Sequence, residues 1–121
     1  MPGLSIIVAM AEGRRFCAAL ETAMAASALG QPARMFLQGD AVAMLRAPAA
    51  FAGDGARRAA GLPDLAALLG EAAAMGVDIV ACQSGMALSG LTIDQIVPGI
   101  TAGGPIGFLA DVGPGDRLLV Y

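Results

Sequence analysis

The apolar residues of this chain fall in short unbroken runs, separated by breaks rich in glycine, proline and charge. The first run, Leu-Ser-Ile-Ile-Val-Ala-Met at 4–10, does not alternate and carries β-branched side chains. That pattern predicts a strand buried on both faces, as in a parallel sheet. Ala11, Glu12 and Gly13 then turn the chain. Over 14–29 the period changes, and Phe16, Leu20, Ala23, Met24 and Ser27 recur near one face of a helix. Gly30 suits its C-terminal cap, and Pro32 stops it. Ala-Arg-Met-Phe-Leu at 33–37 predicts a second strand, followed by a Gln38-Gly39-Asp40 turn. Asp40 is placed to cap a short helix over 41–46.

Residues 47–63 mix Gly, Pro, Asp and two Arg without a clean period. They predict a long loop with room for a helical piece, a length at which loops are often functional or mobile. Pro63-Asp64 opens the next helix, with Leu65, Leu68, Leu69, Ala72 and Met75 as its apolar stripe and Gly76 as its end. Val-Asp-Ile-Val-Ala-Cys at 77–82 predicts a third strand. Gln83-Ser84-Gly85 reads as a turn, with a helical turn over 86–88. Thr92 is placed to cap a helix running to Val97, closed by Pro98-Gly99. A short strand at 100–101, a glycine-interrupted helix over 105–111, a turn at 113–116 and a last strand over 117–121 complete the series.

This alternation predicts one α/β domain over residues 1–121, with a mainly parallel sheet of about five strands and helices on both faces. Ligands of such sheets bind beyond the carboxyl ends of the strands. Three loops qualify: 11–13, 38–40 and 82–85.

Composition narrows the chemistry. The chain has 121 residues, 57% of them apolar, against a usual roughly 45–50%. Much of the excess is alanine, a good helix former, and the rest points to contacts between copies. Net charge is −3, with seven Arg, no Lys and no His. The arginines are scattered rather than gathered in the stripe that nucleic acid requires. Without His the chain lacks the usual general base, the commonest metal ligand and the usual partner of a nucleophilic Ser or Cys. Neither a metal nor a cofactor is expected. The apolar stretch over 95–110 is broken by Pro98, Gly99, Gly103, Gly104, Pro105 and Gly107, so no membrane span is expected. No basic region precedes the first apolar run, so a signal peptide is not expected either. Two cysteines make no disulfide framework, which points to free thiols in a reducing cytoplasm.

One side chain is placed for chemistry. Cys82 sits where the third strand ends and a turn begins. If Gln83, Ser84 and Gly85 turn into a helical segment, their N–H groups point at the sulfur and favour thiolate. A thiolate can attack sulfane sulfur and hold it as a persulfide with neither His nor metal. The competing reading makes Cys82 a small buried hydrophobe in a non-enzymatic, oligomeric binding or assembly module. Cys17, beside Phe16, reads as helix packing. Met86 and Met75 read as core or interface. A nucleotide-binding reading lacks its signature, since no Gly-Lys-Ser/Thr follows Gly85 or Gly90.

The third strand also carries a likeness. Leu62-Pro63-Asp64-Leu65, then Met75-Gly76-Val77-Asp78-Ile79-Val80-Ala81-Cys82-Gln83, then Met86-Ala87-Leu88-Ser89-Gly90-Leu91 resembles the DsrE/DsrF-like group. Phe36-Leu37-Gln38-Gly39-Asp40-Ala41-Val42 resembles that group's second strand and the small helix after it. The resemblance implies a three-layer α/β/α fold and a homo-oligomer, often a trimer or hexamer. It implies that Cys82 matches the cysteine that carries sulfur in the active sulfur-relay members. Gln83, Ser84, Gly85 and Met86 would then surround the bound sulfur, and a sulfur donor or acceptor protein would be the partner. Residues 47–63 could cover such a site.

Overall fold

In the computed structural model, which describes residues 2–121, each apolar run becomes a strand of one five-stranded sheet. The strands are β1 (Leu4–Val8), β2 (Ala33–Leu37), β3 (Asp78–Cys82), β4 (Thr101–Gly103) and β5 (Arg117–Val120). They lie in the order β4-β3-β2-β1-β5, and every pair is parallel. The helices are α1 (Gly13–Ala28), α2 (Asp54–Ala59), α3 (Leu65–Ala74), α4 (Gln83–Leu88) and α5 (Pro105–Ala110). A 3₁₀ segment, Gly39–Leu45, follows β2.

Crossovers between parallel strands are right-handed. The chain steps in one direction from β1 to β3, which sets α1 and α3 on one face of the sheet. It crosses back from β4 to β5, which sets α5 on the other. The side chains agree. On the first face Leu4, Ile6, Val8, Met35, Leu37 and Ile79 are buried together with Phe16, Leu20 and Ala23 of α1 and Leu65, Leu68 and Leu69 of α3. On the second, Phe36 of β2 stacks on Phe108 of α5 with ring centroids 5.2 Å apart. The result is the expected three-layer α/β/α fold. The second layer is thin, and Ile106, Leu118 and Val120 remain exposed.

Local chemistry explains the helix starts. Glu12 caps α1, its carboxylate accepting from the Arg14 and Arg15 amides. Asp64 caps α3 by accepting from the Ala67 amide at 3.0 Å. Elsewhere the expectations need correction. Asp40 is exposed and makes no capping bond; Gln38 takes the capping position of the 3₁₀ segment instead. Gln83-Ser84-Gly85 is not a turn, because α4 begins at Gln83 directly off β3. Thr92 begins only the 3₁₀ turn Ile93–Gln95, not a helix to Val97. Backbone bonds from Ala47 to Gln95 and from Val97 to Leu45 pull that stretch straight. Met75 lies past the end of α3 and is exposed.

Residues 47–63 are tied down. Asp54 is buried and accepts from the Phe51 amide at 3.0 Å and the Leu65 amide at 2.9 Å. The Phe51 ring lies over Gly13 and Gly53, where an added Cβ would come 2.2 and 2.5 Å from it. The segment is thus fastened to the start of α1.

Candidate functional site

Cys82 is the last residue of β3 and the residue from which α4 starts. Parallel pairing places Leu37 beside Ala81, so the residues just past β2 rise next to the end of β3. Gly39 follows there at φ 60°, a left-handed conformation that glycine adopts without strain. Its amide is among the groups that draw the Cys82 thiol down. Gly85 makes the approach possible from the other side. A Cβ at 85 would lie 2.2 Å from the Gly39 carbonyl oxygen and 3.0 Å from Val42 Cγ2, so only glycine lets α4 and the 3₁₀ segment close on each other.

The sulfur therefore sits in a nest of donors drawn from two strand ends. Burial pushes the thiol up. Hydrogen bonds from the Gly39 amide, the Gly85 amide, and the hydroxyl and amide of Ser84 outweigh it and hold the thiol below its ordinary value. Ser84 Oγ lies 3.6 Å from Sγ. Cys82 itself is only 3% exposed, whereas Ser84 and Gln83 beside it face solvent, so the sulfur lies just beneath the surface. Such an arrangement suits nucleophilic sulfur chemistry that needs no proton relay.

Among the residues singled out from the sequence, Ser84 and Gly85 bear on the sulfur directly, Met86 is buried alongside, and the Gln83 side chain points away to solvent. Gly39 was missed. Its signal was the glycine turn directly after β2, on the strand that neighbours β3. Residues 47–63 contribute no donor to the sulfur, and their anchors lie on α1 and α3 rather than over Cys82. Cys17 faces a separate cleft of about 200 Å³, lined also by Arg14, Phe51 and Arg57. A cleft of about 140 Å³ between α3 and residues 97–100 has an aliphatic lining and no ionisable group. Among the described residues no cluster of three or more His, Cys, Asp or Glu could hold a metal ion, and no helix is long and apolar enough to cross a membrane.

Comparison with known proteins places the whole chain. The model of the DsrE/DsrF-like family matches residues 7–121. The crystal structure of the YchN protein from E. coli is similar at a TM-score of 0.76 and 19% identity, over 100% of both chains. A protein of unknown function from Methanobacterium thermoautotrophicum, MTH1491, is similar at 0.71 and 14% identity, again over 100% of both. At those identities the likeness speaks for the fold alone. No curated protein matches the chain.

Proposed function

The chain belongs to the DsrE/DsrF-like family, and from that premise we propose that it is a sulfur carrier that holds sulfane sulfur as a persulfide on Cys82. The observation that carries this reading is the donor nest: amides from Gly39, Ser84 and Gly85 aimed at a thiol that burial alone would keep neutral. A persulfide places its negative charge one atom further out, and the same fixed N–H groups stabilise charge there without reorganisation. Transfer of sulfane sulfur from a persulfide to a thiolate is an exchange at sulfur, which asks for a low-pKa thiol and no His.

The carrier works as a homo-oligomer, a trimer or hexamer, in a reducing cytoplasm, and passes its sulfur between a donor and an acceptor protein. Support for association comes from the thin face of the sheet, where Ile106 is 87% and Val120 66% exposed. Support for the compartment comes from two unpaired thiols.

The test is mass spectrometry after incubation with a sulfane donor. Wild type gains about 32 Da and Cys82→Ser gains nothing. A gain that survives Cys82→Ser, or no gain on wild type, removes the reading. The competing module with an inert Cys82 predicts instead a thiol that reacts only after denaturation.

A further inference from the structure

A groove of about 290 Å³ runs between α5 and the β3–β4 pair. Asp78 and Val80 of β3 and Thr101 and Gly103 of β4 form its floor, and Gly107 and Phe108 of α5 flank it. Side chains alternate along a strand. Asp78, Val80 and Cys82 therefore share one face, and Cys82 lies one step past Val80, just beyond the groove's own lining. Its register partner on β4 is Gly103, a groove residue. The groove thus climbs the sheet toward the sulfur. Glycine provides the room, since a Cβ at Gly103 would sit 2.9 Å from Val80 Cγ1 while one at Gly107 would enter open space.

The far end of the groove is ionic. Arg34 stands at the register position beside Asp78. Its guanidinium lies 4.3 Å above the Phe108 ring, and its Nη2 donates to the Phe108 carbonyl at 3.0 Å. Asp111 Oδ2 lies 3.9 Å from the same nitrogen. Arg34 Nη1 is buried without a hydrogen-bond partner, alone in this among the side-chain atoms of the described residues. A buried donor without an acceptor calls for one. One cation and two carboxylates side by side suit a zwitterionic, amino-acid-type head better than a bare dianion such as thiosulfate.

We propose that this groove binds the body of a short-peptide persulfide, with its sulfane sulfur at Cys82 and its zwitterionic head among Arg34, Asp78 and Asp111. The inference rests on the carrier reading above and adds the class of donor. Length selects the class. Four steps along β3 lead from Asp78 to Cys82, roughly 13 Å at about 3.3 Å per step. A free amino-acid thiol is too short to span that distance, and an extended peptide of three to four units matches it, at roughly 10–14 Å for about 3.5 Å each. In the transfer, the Cys82 thiolate attacks the outer sulfur of R–S–SH. A Cys82 S–S bond forms, the R–S–S bond breaks, and its electron pair leaves on the peptide thiolate. The proton stays on the transferred sulfur, and nothing is oxidised or reduced overall.

The experiment compares glutathione persulfide with inorganic polysulfide, which has no tail, and follows the mass gain on Cys82 over time. Gly107→Leu fills the groove at a position where the backbone has space and leucine favours the helix. It should slow loading from glutathione persulfide about tenfold or more and leave polysulfide loading unchanged. Arg34→Gln should slow the peptide donor alone in the same way. If Gly107→Leu slows both donors equally, or neither, the groove assignment falls while the carrier reading stands. If neither donor loads wild type, both fall.

Discussion

Cys17 and Cys82 are equally hidden, at 2% and 3% exposure, yet their surroundings push them in opposite directions. Around Cys17, burial raises the thiol, and the nearby Arg57 guanidinium offsets this only in part against Glu21, Asp54 and Glu12. Around Cys82, the burial penalty is overcome by amides at the starts of the 3₁₀ segment and of α4 and by one hydroxyl. Depth alone does not decide whether a thiol is inert. What decides is whether backbone N–H groups are left free to face it, and a helix interior such as α1 spends its amides on its own carbonyls.

The contrast can be broken outright by loading each variant with sulfane sulfur. Cys82→Ser should lose the adduct entirely and Cys17→Ser should keep it, as read by intact mass. Gly85→Ala should be the next largest effect. The added methyl meets the Gly39 carbonyl, so α4 must move off the 3₁₀ segment, costing about 1–3 kcal/mol in a denaturant melt. The Cys82 thiol should rise toward the Cys17 type in the same variant. Asp54→Ala removes the acceptor of two amides and should cost a similar or smaller amount, about 1–3 kcal/mol. Because Phe51 borders the Cys17 cleft, that variant should speed alkylation of Cys17 and leave Cys82 unchanged.

The pH dependence of alkylation sharpens the comparison further. A lowered thiol reaches half its limiting rate below 9.0, and a raised one above it. Between those two midpoints an alkylating probe should label Cys82 in preference to Cys17, and the preference should shrink as pH rises past both. Ser84→Ala should give the smallest change. It deletes one weak donor of several and should move the Cys82 midpoint upward without reaching that of Cys17.

Strands, the two long helices and the placing of Cys82 at a strand end were legible because each leaves a local trace: an unbroken apolar run, a 3.6 period, a capping acid. Asp64 is a capping acid of that kind. What escaped were features made by distant segments meeting. Gly39 serves the sulfur only because β2 lies beside β3. Asp54 joins amides at 51 and 65, and nothing in the flanking composition marks it. The start of α4 was displaced to Met86 because Ser and Gly read locally as a turn, whereas β3 feeds the helix directly. Arg34 read as one scattered charge; its role depends on Phe108, 74 residues away.

The strand order has a consequence for how the chain comes together. β1 has β2 on one side and β5 on the other, and the clamp from Asp116 to the Gly3 amide spans 113 residues. During synthesis the β2 side of β1 can close early, while its opposite edge stays unpaired until the ribosome has released residues 117–120. An open apolar edge of that duration is a template for a neighbouring nascent chain. The same late closure makes β5 the natural place for the sheet to reopen, and hydrogen exchange at Leu118 and Leu119 should outpace that of Met35 and Phe36 at the centre.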